Sequence, residues 1–383
     1  MKIVAVADVH VGADRFGATP EEWDSPLHEA VEYAVANKAQ LFVVPGDLFH
    51  KRNPTTAEYS RALAALDRLE YYGIACLVVD GNHDVGASAE SIAATWPLAL
   101  AHVDVARGAA SVRQIGGFEV IALPWPRPVD YIAEDDLWSL VDVINSTREA
   151  VLKRLRELCD APTDRPRILV GHAMVSYGTV TPDDPGLMLG KDIVLPYEQL
   201  SALPGVEAIL LGHVHNPGAE GYVGSTQPTD FGEATQVKSF TVLDIEAGQV
   251  HRQQVPYKTS LKLLNLDVTD EQFVEFAKTS GKYDGFYDAA RVKVTLPAPE
   301  SHLYADAVRA TVARVAKRVL SVELVRPQLA KRRLDSAEAP IVSLAPDAAF
   351  ARWMKAREIP DATAAQVLGV FKGMAEPAAV PVA

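Results

Sequence analysis

The chain has 383 residues, 48% of them apolar, and a formal net charge of −13. That length holds two or three domains with sizeable cores, and the composition excludes wholesale disorder. The acidic balance excludes a protein that coats nucleic acid by bulk charge, though not a local basic groove.

The charge is uneven, −16 over residues 1–255 and +3 over residues 256–383. Cys76 and Cys159 lie far apart and in no CxxC pattern, which argues against a disulfide framework and a cysteine zinc site. The apolar run between Lys2 and Asp8 is too short for a secretory leader, and no apolar stretch is long enough to span a membrane. A reducing, cytoplasmic setting is expected.

Residues 3–7 form a continuous apolar run and predict a buried strand. Residues 19–38 predict a helix, with Pro20, Glu21 and Glu22 in its first turn and Leu27, Ala30, Val31 and Ala34 on its apolar face. Residues 41–44 are a second strand, closed by Pro45 and Gly46. Residues 56–71 are a second helix, stopped by Gly73, and 74–79 a third strand. This β-α-β-α-β alternation predicts parallel strands with helical crossovers.

A short helix over 88–95 is expected next, then short strands over 103–123 around Gly116-Gly117, and a proline loop at 124–128. One long helix is expected over 135–159, with further strands at 168–170, 208–211 and 240–245. The core is thus read as α/β, a pair of sheets with helices outside. Beyond a boundary near 255–262, a strand (291–296), a helix (302–318) and a strand (321–325) predict a compact β-α-β unit. Lys331, Arg332 and Arg333 open a polar linker. Two short helices, 348–357 and 364–374, either bind a partner or pack on their own domain.

Five stretches share one design, in which an apolar strand ends in metal-type donors. They are Asp8-Val9-His10, Gly46-Asp47, Gly81-Asn82-His83-Asp84, Gly171-His172 and Gly212-His213-Val214-His215. Each alone is weak, because a lone histidine is more often structural and an Asn-His after a strand is usually a turn. In series they mark a site, since ligands bind at the carboxyl ends of strands in open α/β sheets. Asp8, His10, Asp47, Asn82, His172, His213 and His215 offer only oxygen and nitrogen. Seven donors are too many for one ion and suit two divalent cations about 3.5–4 Å apart that share a carboxylate. Mixed imidazole and carboxylate suits manganese, iron or zinc.

The ordered series D-x-H, G-D, G-N-H-D, G-H, G-H-x-H resembles the calcineurin-like metallophosphoesterase superfamily. Within it, GDLFHKRNP at 46–54 and GYVGSTQPTDFGE at 221–233 are similar to the double-strand-break repair nuclease family, SbcD in its bacterial form. The resemblance covers residues 1–255 and implies an α/β/β/α nuclease domain there. It implies a smaller α+β DNA-capping domain over 256–330, and a linker with short helices over 331–383 that docks an SbcC-like coiled-coil ATPase. It assigns Asp8, His10, Asp47 and His215 to one cation and Asp47, Asn82, His172 and His213 to the other, with Asp47 bridging. The cations would be manganese by preference, with magnesium, iron or zinc as alternatives.

The same resemblance makes His83 a substrate-facing acid rather than a ligand, with Asp84 holding its ring. It gives His50 a part in positioning DNA, against the plainer reading of an exposed loop histidine beside Lys51 and Arg52. Tyr222, Gly224 and Ser225 would lie on a loop near the metals. Lys51, Arg52, Arg127, Lys317, Arg318 and residues 331–333 are candidate phosphate contacts. The implied activity is 3′→5′ exonuclease on double-strand ends and endonuclease on single strands or hairpins, by a homodimer. A small-molecule phosphodiesterase or nucleotidase of the same superfamily is the alternative.

Overall fold

The structure is a computed structural model that describes residues 1–84, 103–132, 139–177, 192–246, 248–296 and 302–325. Internal contacts divide the chain into residues 1–325 and 326–383. The expected helices 348–357 and 364–374, the basic run 331–333 and the expected helix 88–95 lie outside the described residues.

The chain opens with β1 (Lys2–Ala5), α1 (Pro20–Ala36), β2 (Leu41–Pro45), α2 (Thr56–Tyr71), β3 (Ala75–Val79) and β4 (Val103–Ala106). β1, β2, β3 and β4 pair in parallel, with Ile3 beside Leu41 and Leu41 beside Ala75. Both helices start as their sequences predict. Thr19 and Thr55 each accept the N–H of the glutamate three residues on, and that glutamate accepts the threonine N–H in return. β5 (Ser111–Ile115), β6 (Phe118–Leu123), α3 (Leu140–Cys159), β7 (Arg167–His172), β8 (Met174–Ser176), β9 (Val194–Pro196), α4 (Tyr197–Ser201) and β10 (Val206–Gly212) follow. Ser139 caps α3 by accepting the Asp142 N–H, so this helix begins at Leu140; positions 135–138 of the expected helix lie outside the described residues.

β11 (Ser239–Glu246) and β12 (Gln249–Pro256) close the first sheet, in the order β12-β11-β1-β2-β3-β4. The second sheet runs β10-β7-β6-β5. Three apolar layers result. Val4, Phe42, Val44 and Cys76 face α1 and α2. Ile3, Val43, Leu77, Val170 and Leu210 fill the space between the sheets. Leu123, Leu169 and Leu211 pack with Val151 and Leu155 of α3. The first two layers explain the uninterrupted apolar runs, since β1 and β2 are covered on both faces. This is the expected α/β/β/α sandwich.

A separate parallel sheet contains β13 (Leu263–Thr269), β14 (Tyr287–Thr295) and β15 (Ala316–Val325). It carries α5 (Asp270–Thr279) and α6 (His302–Val315), with Phe273, Val292, Val294, Val308 and Val312 in its core. The expected β-α-β unit is present as β14, α6 and β15, but it is not the whole of this sheet. A whole strand and helix precede it, and α6 stops at Val315, three residues early, because Ala316 already begins β15.

Gln227 ties this unit to the sandwich. Pro26 lies inside α1 and donates no hydrogen bond, so the carbonyl of Glu22 lacks its usual partner. Gln227 Nε2 donates to that carbonyl and to the carbonyl of Trp23, both at 3.0 Å. Its Oε1 accepts from the Leu261 N–H at 2.7 Å and the Ser260 hydroxyl at 3.2 Å. Trp23, Leu261, Leu263 and Ala289 bury the contact. Among the described residues, no helix is long and apolar enough to cross a membrane.

Candidate metal centre

Because β1, β2 and β3 are mutually parallel, as are β6, β7 and β10, five strand ends deliver their loops to one edge of the sandwich. All seven expected ligands meet there. His172 Nε2 lies 2.9 Å from Asn82 Oδ1 and 3.5 Å from Asp47 Oδ2. His213 Nδ1 lies 3.2 Å from the same Asn82 oxygen. On the other side of Asp47, His10 Nε2 is 3.9 Å from Oδ2 and 3.4 Å from His215 Nε2. Asp8, His10 and His215 can each turn a donor atom to within 4.8 Å of the others, and so can Asp8, Asp47 and His172. Asp47 therefore stands between two donor groups.

The backbone is shaped for this convergence. Asp8, His10, Asp47 and His213 have φ of 50°, 53°, 53° and 98°, a left-handed region that non-glycine residues seldom occupy. Glycine is required next to them. At Gly46, φ is +86° and a Cβ would sit 2.1 Å from His172 Nδ1. At Gly81 a Cβ would sit 2.1 Å from Asp47 Oδ1. The loops also bond to one another. The His213 N–H donates to both Asp8 oxygens at 2.9 and 3.1 Å, and the His83 N–H donates to Asp47 Oδ1 at 2.8 Å. His172 is oriented through Nδ1, 2.9 Å from the Pro45 carbonyl.

The electrostatics fit divalent cations. Burial raises Asp8 to about 8 and Asp47 to about 6, and mutual repulsion adds to the rise at Asp8. Burial lowers His172 and His213 to about 4 and holds His10 well below the usual imidazole range. Neutral imidazoles carry the lone pairs a metal needs, and a bound cation would offset the burial that raises the two carboxylates. His10 Nε2 and His215 Nε2 face each other at short range, as two ligands of one ion would. With no thiolate in the set, the donor chemistry is that of a two-metal hydrolytic centre.

One assignment is corrected. Asp84 does not hold the His83 ring. Its carboxylate accepts the backbone N–H groups of Leu48 (3.3 Å), Phe49 (3.0 Å) and Gly81 (3.0 Å). The turn folds this side chain back under the loop, away from the imidazole beside it in sequence. The His83 ring is held instead by the His50 carbonyl, 2.7 Å from Nδ1, and it stacks on the His50 ring at 5.5 Å. Both rings line a cavity of about 180 Å³ together with His10, Asp47, Asn82 and Arg15. A wider groove of about 600 Å³ runs along α1 and α2, but it gathers no metal-type donor group among the described residues.

Other expected contacts are engaged elsewhere. Arg127 pairs with Asp130 at 2.7 Å, Lys317 with Asp288 at 2.7 Å, and Arg318 with Glu22. Lys51 and Arg52 are exposed. The Tyr222 hydroxyl is buried, accepting from Val175 N–H and donating to the Ala173 carbonyl, so it braces the segment after His172. Gly224 packs against Pro217, and Ser225 bonds to the Gln227 carbonyl.

Sequence reasoning missed Glu233. His215 Nδ1 lies 3.2 Å from its carboxylate, which also accepts from Thr229 and from the buried Lys238 at 2.7 Å. Burial alone would raise Glu233, but the bonds to His215 and Lys238 bring it down to about 2. For His215, burial works downward, and the Glu233 bond together with the negative charges of Asp8 and Glu233 outweighs it, so the imidazole is held above its usual range. A carboxylate behind an imidazole fixes which ring nitrogen faces the metal. Trp125 was missed as well. Its ring lies 4.8 Å from that of His213 and 5.8 Å from that of His172.

Fold and site together define a metal-dependent phosphoester hydrolase. The chain belongs to the calcineurin-like phosphoesterase family, whose model matches residues 1–217. It is similar to the SbcD component of the nuclease SbcCD from Staphylococcus epidermidis, 23% identical over 309 residues, which are 75% of this chain and 78% of that protein. It is also similar to the DNA double-strand break repair protein Mre11 of Archaeoglobus fulgidus, 31% identical over 86 residues, 22% of this chain and 19% of that one. A solved dimetal phosphatase from Danio rerio aligns at a TM-score of 0.41 and 15% identity, covering 67% of this chain and 99% of that one.

Proposed function

We propose that this chain is a manganese-dependent DNA nuclease of the SbcD type, a 3′→5′ exonuclease on double-strand ends and an endonuclease on single strands and hairpins. It works in DNA repair as a homodimer in the cytoplasm, with an SbcC-like coiled-coil ATPase docked on residues 331–383. Residues 1–255 are the catalytic domain in this reading, and residues 256–330 cap the DNA. The similarity to two repair nucleases supports it.

The observation that carries the choice of substrate is the shape of the site. A cavity of about 180 Å³ is smaller than the roughly 300–1,000 Å³ of pockets that enclose a small ligand. It admits one phosphodiester of a strand lying across it, and so favours a polymer over a cyclic nucleotide.

Asp8, His10, Asp47 and His215 hold one cation, and Asp47, Asn82, His172 and His213 the other. Two divalent cations at such a centre supply a nucleophile from solvent near neutral pH and neutralise charge on the phosphoryl oxygens. His83, oriented by the His50 carbonyl, donates to the scissile phosphate and passes a proton from its free ring nitrogen to the leaving oxygen. His50 lies alongside and steers the strand. Asp84 keeps both turns in register through three backbone bonds.

The test is to incubate the full chain with end-labelled duplex, a DNA hairpin, cyclic AMP and a generic phosphodiester, in manganese or magnesium. Degradation of DNA without turnover of cyclic AMP is expected. Turnover of the cyclic nucleotide with intact DNA would overturn the proposal.

A further inference from the structure

We propose that His10, His50 and His83 form a zinc site of their own, which competes with the two-metal centre for His10. Each of the three can offer a ring nitrogen so that all lie within 4.8 Å of one another. Their ring centroids are 5.4 Å apart (His10 and His50), 4.9 Å (His10 and His83) and 5.5 Å (His50 and His83). His10 Nδ1 and His50 Nδ1 are buried and have no hydrogen-bond partner among the described residues. Buried polar nitrogens are ordinarily satisfied, so two in one cluster point to a ligand. All three rings line the same cavity.

The donor chemistry selects the ion. Three imidazoles and no carboxylate suit zinc, with a fourth position left open, whereas manganese and magnesium favour oxygen. A neutral imidazole has one lone pair, so His10 serves one cation at a time. It belongs both to this triad and to the group with Asp8 and His215. Zinc bound by the triad therefore withdraws a ligand from the centre and occupies His83. That makes the triad an inhibitory site, an effect on turnover that rests on the nuclease reading, whereas the binding does not.

The test titrates zinc chloride into the full chain preloaded with manganese and follows released manganese by electron paramagnetic resonance. The wild type is expected to release one manganese for the first zinc bound. His50→Ala should raise the zinc needed for half-release by about tenfold or more while leaving manganese affinity unchanged, because His50 is outside the seven-donor set. His50→Gln, with circular dichroism on both variants, guards against misfolding. Identical zinc curves for the wild type and both folded variants would overturn the proposal, since zinc would then be replacing manganese in place. Normal zinc competition in a chain that cleaves no DNA would support the site and sink only the nuclease reading.

Discussion

Replacing Glu233 with alanine is expected to weaken manganese binding at the candidate donor group of Asp8, His10 and His215 by about 10–100-fold, equivalent to about 1.4–2.7 kcal/mol. The estimate follows from what the carboxylate touches. It accepts from His215 Nδ1 at 3.2 Å, from the Thr229 N–H at 3.1 Å and hydroxyl at 2.9 Å, and from Lys238 Nζ at 2.7 Å. Alanine removes the acceptor that turns His215 Nε2 toward His10. The Thr229 hydroxyl remains 3.0 Å from His215 Nδ1, which places the loss in the lower half of that range. Lys238 keeps the His215 carbonyl and the Gln236 side chain but loses its buried carboxylate partner, so the fold loses about 3–5 kcal/mol. Glu233→Gln keeps an oxygen for Nδ1 but not the charge, and should fall between. Isothermal titration with manganese, beside urea unfolding of each variant, separates the two effects. An alanine variant that binds both cations as tightly as the wild type would refute the reasoning.

His83→Ala should leave manganese binding nearly intact and cut turnover by about 10²–10⁴-fold; an equal loss of metal would contradict a substrate-facing role. Gly46→Ala, which drives a Cβ to 2.1 Å from His172 Nδ1 at a φ of +86°, should cost about 2–5 kcal/mol from backbone strain and overpacking together. Its unfolding midpoint in urea reports this. Gln227→Leu orphans the Glu22 carbonyl and the Leu261 N–H, at a cost of about 2–6 kcal/mol, and calorimetry that found a wild-type transition would count against the link. Arg167→Ala leaves Glu119, 2.6 Å away and almost fully buried, without its charge partner and with only the Gln114 amide, and should lower stability by about 3–5 kcal/mol.

The sandwich was legible because its strands are covered on both faces and read as unbroken apolar runs. Residues 56–71 emerged with both ends correct, since a capping threonine and a following glycine bracket the helix. The strand Leu263–Thr269 and the helix after it went unread. That strand alternates half-buried and exposed positions over its second half, a weaker signal than a continuous run. The Thr269–Gln272 capping box that opens the helix was available in the sequence. At the site, the strand-end motifs led to the seven candidate donors that meet there, because sheet topology brings strand ends together. Asp84 was misread since neighbours on a tight turn point in different directions. Glu233 is 18 residues from His215, and their contact depends on the path of the intervening loop, which no spacing rule encodes.

Two of the backbone bonds accepted by Asp84, from Leu48 and Phe49, lash the turn after β2 to the turn after β3, and the third, from Gly81, holds its own turn. With the His83 N–H bound to Asp47, the two turns behave as a single mechanical part. A turn held in this way is not modular. Anyone grafting Asn82 and His83 onto another scaffold would have to transplant Asp84 and the whole 46–50 segment with them, or the imidazole would arrive without its mount.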